Sequence, residues 1–168
     1  AWVALPNEAE ECAPSFTHYA GATQLPEFAE GGVQGRLIAG ASAGMLAAVQ
    51  THSPLFYWHW QMQAGSRRSL AAEYSERAVY VAQGEVEIAG QKLGAGQMLV
   101  LPAAGTVDIR AVQNSTVMLL GGEPVGERFI DWNFVSSSKE RLAQARADWQ
   151  AGRMKLPVGD TEEFIPLP

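Results

Sequence analysis

The residues of this 168-residue chain that could do chemistry are few: three histidines, one cysteine and some closely spaced acids and bases. A transition-metal site needs several N, S or O donors converging on one point. His18, His52 and His59 are the imidazoles available, and no two stand two residues apart on a strand, the spacing that aims both at one ion. They read as surface or hydrogen-bonded histidines. His59, near Tyr57, is the one placed to line a polar cavity, and if buried its charge would respond to pH. Glu73 and Arg77, four residues apart, read as a salt bridge or as two solvated residues. Glu85 and Glu87 have the look of a general acid–base pair but fit better as the polar face of a hairpin. Cys12 is a lone thiol among Glu8, Glu10 and Glu11, with no base beside it to activate a nucleophile. Trp58 and Trp60 read as core. No catalytic set and no cofactor-binding motif emerges.

The elements that must position these residues are short strands. Residues 36–39, 45–49 and 55–63 are the first candidates. In the third, Phe56, Trp58, Trp60 and Met62 share one face, and Leu55, Tyr57, His59 and Gln61 the other. Residues 77–83 and 85–89 flank Gly84, and runs at 97–101, 106–111 and 116–120 follow, separated by Gly, Ala and Asn. Short strands at this spacing predict an all-β sandwich or barrel. One helix is marked after Ser136-Ser137-Ser138. Ser137 and Glu140 have capping-box spacing, Leu142, Ala145 and Trp149 form a stripe, and Gly152 ends it. The opening Ala1-Trp2-Val3-Ala4-Leu5-Pro6 reads as the end of a strand that begins upstream. The apolar close, Phe164-Ile165-Pro166-Leu167-Pro168, reads as a tail that packs on something.

Composition narrows the function classes. A net charge of -6 lacks the clustered cations that neutralise phosphates, so no direct nucleic-acid partner is expected. No run approaches the ~20 apolar residues of a spanning helix, so no membrane partner is expected. A single cysteine fits a cytoplasmic setting.

The stretch Val79-Tyr80-Val81-Ala82-Gln83-Gly84-Glu85-Val86, followed by Leu93, Gly96 and Met98-Leu99-Val100-Leu101-Pro102, resembles a cupin barrel, a double-stranded β-helix or jelly roll. The cupin glycines fall on Gly65, Gly84 and Gly96, and the proline on Pro102. The cupin metal ligands, three His and one Glu, fall on Ala71, Glu73, Arg77 and Val107. One carboxylate remains, and a cation stands where an anionic ligand belongs. A one-residue slip exchanges Val107 for Asp108 and restores no histidine. The resemblance thus implies a vacated metal site and no metal in this chain, with Tyr57, His59, Glu73, Arg77 and Asp108 as candidate pocket-lining residues.

Further motifs are similar to the C-terminal half of the pirin family. They are Thr51-His52-Ser53-Pro54-Leu55-Phe56-Tyr57, Gly121-Gly122-Glu123-Pro124-Val125-Gly126-Glu127-Arg128-Phe129-Ile130, Trp132-Asn133-Phe134-Val135 and the Ser-rich helix start. The resemblance implies a two-cupin parent whose N-terminal domain holds Fe(II), with quercetin 2,3-dioxygenase chemistry in some members and transcriptional co-regulation in others. The expected organisation is a connection and leading strand over 1–30, a cupin barrel over 31–135, and a helix and tail over 136–168. The expected role is a metal-free C-terminal domain, not an enzyme by itself, whose partner is an N-terminal cupin domain or a second copy of the chain. A metal-free interaction module of a co-regulator and a stand-alone small-molecule-binding cupin are the alternatives.

Overall fold

Alternation of apolar and polar residues turns the middle of the chain into antiparallel strands. These are β1 (Glu27–Glu30), β2 (Val33–Ser42), β3 (Met45–Leu46), β4 (Leu55–Met62), β5 (Arg67–Leu70), β6 (Glu76–Gln83), β7 (Glu85–Ile88), β8 (Gln91–Gly94), β9 (Met98–Val100), β10 (Val107–Ala111) and β11 (Ser115–Gly122). The computed structural model describes residues 1–19, 25–156 and 165–168. Two compact units are present: Tyr19–Pro124, and Ala1–His18 with Val125–Pro168.

In the first unit the strands form a seven-stranded sheet, ordered β1-β2-β4-β11-β6-β9 with β3 beside β2, and a four-stranded sheet, ordered β5-β10-β7-β8. Both sheets feed one core. Trp58, Trp60, Val79, Val81 and Leu119 enter it from the larger sheet, and Val86, Ile88, Leu93, Ile109 and Ala111 from the smaller. Removing such side chains from water contributes about 1.5–3 kcal/mol each, which is what holds the sheets face to face. This is the expected jelly-roll barrel. The turn from β6 to β7 depends on Gly84, whose φ is 86° and whose added Cβ would lie 2.4 Å from the Asn114 carbonyl oxygen. Only a residue without a side chain takes that position without strain.

In the second unit, a short 3-10 turn (Asn7–Ala9) precedes the hairpin β12 (Phe129–Asp131) and β13 (Phe134–Ser136) and the helix α1 (Lys139–Gln150). The carboxylate of Glu10 accepts from the backbone N–H of Ser137, from the hydroxyls of Ser136 and Ser137, and from Arg128 at 2.7 Å. Arg128 also donates to the Leu5 carbonyl and to Asn7 Oδ1. The helix cap is Ser138, not Ser137: its Oγ accepts from the Arg141 N–H and donates to Glu140. The Ser137 N–H and hydroxyl both donate to Glu10, which turns this serine toward the 3-10 turn and leaves the cap to Ser138. Leu142 and Ala145 are buried, and Trp149 meets Trp132 at 5.6 Å between ring centroids.

The observed division differs from the one expected. β1 pairs with β2 from Glu27↔Arg36 to Glu30↔Val33, so residues 27–30 belong with the barrel. Residues 125–135 belong instead with the helix, through Arg128 and the β12–β13 hairpin. Residues 1–6 form no strand, and Trp2 and Val3 are exposed. Of the apolar tail, Phe164 lies outside the described residues; Ile165 is exposed, and its carbonyl accepts from the Trp149 indole.

Candidate functional site

β6 decides the interior of one end of the barrel. Its residues alternate so that Arg77, Val79 and Val81 point inward, and Val79 and Val81 are core. Arg77 follows the same parity and is only 2% exposed. Its neighbour across β11 is Gly121, where a Cβ would lie 2.7 Å from the Phe56 ring, so no side chain competes for that space.

A buried guanidinium is costly unless its donors are satisfied. Arg77 meets that requirement at its two terminal nitrogens with backbone oxygens. Nη1 donates to the Ala71 carbonyl at 3.0 Å, and Nη2 to the carbonyls of Pro102 and of Gly105, the latter at 3.0 Å. Nε is buried without a hydrogen-bond partner. Ala71 follows β5 of the smaller sheet, while Pro102 and Gly105 lie in the crossover from β9 to β10. One side chain thus ties the loops that connect the two sheets.

Glu73 does not pair with Arg77, contrary to expectation. Its carboxylate accepts from the Ser42 hydroxyl and, at 2.8 Å, from the Ala43 N–H. Ala43 has a φ of 53° in the β2–β3 turn, so Glu73 serves to hold that turn. Tyr74 beside it donates to the Ala41 carbonyl at 2.8 Å and stacks on Phe56. Burial, reinforced by the Glu73 and Glu123 carboxylates, pushes the Tyr74 hydroxyl's pKa up and keeps it a donor.

The five expected lining residues do not gather in one pocket. Only Arg77 enters the barrel. Tyr57 and His59 alternate with the buried Phe56, Trp58 and Trp60, so they lie on the outer face of the larger sheet. There His59 lines a surface groove of about 490 Å³ with Glu27, Arg36, Gln34 and Gln61. Burial, and then the nearby Arg36 cation, lower its pKa. Asp108 lies on the outer face of the smaller sheet, where it accepts from the Ser69 hydroxyl. The correction has one physical reason: strand side chains alternate, and each of these residues neighbours a core residue.

These residues do not fit a metal. Ala71 and Val107 carry no donor, Arg77 is a cation, and the one carboxylate is engaged by Ser42 and Ala43. Val107 packs against the core. His18 and His52 are exposed, and among the described residues no three His, Cys, Asp or Glu side chains form a metal-holding group. Cys12 is a free, exposed thiol. Among the described residues no helix is long and apolar enough to cross a membrane. Sequence reasoning missed the carbonyl clamp around Arg77; the signal was available in its parity with Val79 and Val81.

Comparison with known proteins places these features in a family. Residues 57–155 match the family model of the pirin C-terminal cupin domain. A pirin-like protein of Caulobacter vibrioides is 58% identical over the whole chain, which covers 58% of that protein. A Pseudomonas aeruginosa protein provisionally named quercetin 2,3-dioxygenase is 32% identical over 90% of the chain, which covers 48% of it. The crystal structure of quercetin 2,3-dioxygenase from Acinetobacter baumannii superposes with a TM-score of 0.84 at 25% identity, covering 99% of this chain and 56% of that one. The chain therefore spans about half to three-fifths of the length of these relatives.

Proposed function

Because this chain belongs to the pirin family, we propose that it is the C-terminal cupin domain of a pirin-like protein, without a metal site of its own. In this reading it packs against an iron-binding N-terminal cupin domain, and the parent is an oxidoreductase of the quercetin 2,3-dioxygenase type. The observation that carries the proposal is Arg77. Its guanidinium stands at a cupin ligand position, is buried, and is bound through both terminal nitrogens by the carbonyls of Ala71, Pro102 and Gly105. A fixed positive charge in a poorly solvated interior opposes a divalent cation at the same place. The names and lengths of the relatives support the rest of the reading, since each is longer than this chain and two are named for the dioxygenase. Iron, in the N-terminal domain, would supply the oxygen chemistry. The residues of this chain contribute a closed barrel and a surface on which the other half is held.

The test is elemental analysis of the purified chain after incubation with Fe(II), Mn(II), Ni(II) and Zn(II), beside an assay of flavonol consumption. The expected result is less than about a tenth of an equivalent of any metal and no turnover above a free-metal control. Near-stoichiometric metal, or turnover by the chain alone, overturns the reading.

A further inference from the structure

We propose that the slot between β1, β2 and β5, at the open edge of the barrel, is a binding site for an aromatic carboxylate, and that Phe28 and Glu30 of β1 fill it as a built-in plug. This goes beyond the reading above and does not depend on where the parent holds its iron.

β1 ends the larger sheet and β5 ends the smaller, and among the described residues no ladder joins them. Side chains bridge the gap instead. Phe28 pairs with Gly35, shares its inward parity and packs against the core. Gly35 makes the room, since a Cβ there would overlap the Phe28 ring. The ring meets Trp58 and Trp60 edge-to-face, with centroids 5.5 and 5.9 Å away. Arg68 of β5 has the inward parity of Leu70, and its guanidinium carbon stands 3.7 Å from the centre of the Phe28 ring. The same guanidinium donates to the Glu30 carboxylate at 3.2 Å.

Arg68 therefore holds an aromatic ring against its face and a carboxylate on one of its N–H groups, and both come from one short strand. An aromatic acid carries the same two groups in a single molecule. The attraction of a guanidinium for π-faces and for carboxylates is general chemistry, so such an acid competes for the same cation. Phe28 also answers the slot incompletely. The adjoining Trp60 buries an indole N–H that has no hydrogen-bond partner, and a hydrocarbon ring has no oxygen to offer it.

β1 is built so that it can leave. Of its four residues only Phe28 is half-buried; Glu27, Ala29 and Glu30 are exposed. Its strand neighbour is β2 alone. Its two ion pairs, Glu27–Arg36 and Glu30–Arg68, lie in water, the Glu30 side chain being 80% exposed, and pairs of that kind add little stability. An edge strand anchored by a single ring opens before the strands of the core do.

The test uses 3-phenylpropionate as the probe. Tryptophan fluorescence reads binding, and hydrogen exchange over residues 27–30 reads displacement of β1. The wild-type chain is expected to bind saturably and to exchange faster over β1 when bound. Apparent affinity follows the fraction of chains whose plug is out, so Glu30→Gln, which frees Arg68 without touching the core, is expected to bind about 3-fold tighter or more. Phe28→Ala is expected to bind about 10-fold tighter or more for the same reason. Arg68→Gln is expected to bind about 10-fold more weakly or worse, as is the uncharged 3-phenylpropanamide to the wild-type chain. Absence of saturable binding to the wild-type chain overturns the proposal, and so does binding that Arg68→Gln leaves unchanged. Binding confined to Phe28→Ala overturns it too, because Phe28 is then a fixed part of the core. Where Phe28→Ala fails to fold, Glu30→Gln decides: tighter binding supports the plug, and unchanged binding overturns it.

Discussion

On the smaller sheet Glu87 faces Arg110 across β7 and β10; on the larger sheet Ala78 faces Leu120 across β6 and β11. Both pairs point away from the core, yet one is an ion pair and the other is hydrocarbon. The core does not account for this, since both sheets bury aliphatic side chains within it, the larger adding Phe56, Trp58 and Trp60. Outward positions are free of the packing that fixes the core, and the two faces use that freedom differently. Charged pairs on the smaller sheet stay hydrated and discourage association. On the larger sheet's outer face Met98 and Val100 are exposed and Tyr57, Tyr80, Met118 and Leu120 half-buried, while the Glu27–Arg36 ion pair stands toward its β1–β2 edge.

The two sheets also differ in how they are joined at the end where β6 begins. Arg77 grows from the larger sheet, and its guanidinium reaches the loops that lead to and from the smaller one. The largest expected effect on the barrel therefore comes from breaking this tie. Arg77→Met, which leaves three carbonyls without a donor, is expected to cost roughly 3 kcal/mol or more in urea unfolding. An unchanged midpoint would mean the sheets hold together without the guanidinium.

Next in size is a pair of truncations at adjacent residues. Leu119 points into the core and Leu120 away from it. Leu119→Ala is expected to cost about 2–5 kcal/mol, and Leu120→Ala no more than about 1 kcal/mol. Equal costs would abolish the distinction between inner and outer faces. Smaller again is Arg110→Ala on the charged face, expected at roughly 0.2–1 kcal/mol and fading as salt is added. A larger, salt-insensitive loss would show the smaller sheet's outer face to be more than a solvated surface.

The smallest effect concerns His59, in the polar groove on the outer face of the larger sheet. Burial and Arg36 depress its pKa, so the folded state resists a proton that the unfolded state accepts near pH 6.5. Its contribution is intact above that pH and is lost as pH falls through the lower folded pKa. Thermal midpoints at pH 7.5 and pH 5 are expected to converge slightly in His59→Gln relative to wild type. No change in that difference would mean His59 is as solvated folded as unfolded.

Legibility in the sequence followed the number of inward residues per strand. β4, with Phe56, Trp58, Trp60 and Met62, and β6, with Val79 and Val81, announce themselves by period-two alternation. β5 and β8 do not, because Arg67–Leu70 and Gln91–Gly94 each send one apolar residue, Leu70 and Leu93, fully inward. One residue makes no period. The hairpin β12–β13 was likewise hidden, its turn held at Trp132 with a φ of 54° rather than at a glycine. At the candidate site the residue types were readable but their partners were not. Glu73 and Arg77 have the spacing of an ion pair, and each instead satisfies itself on backbone groups distant in sequence.

What the sequence determined by itself is therefore the alternation of its longer strands and the helix after its serines. These depend on residue type and local spacing, which chain order carries directly. What the tertiary structure alone decided is where each polar group finds its partner. Arg77 finds three carbonyls, Glu73 a turn, Glu10 two serines and an arginine, and His59 an outward groove. A backbone acceptor is present at every residue and a donor at every residue but proline, so nothing in the sequence marks which of them a buried charge will meet until the strands are paired.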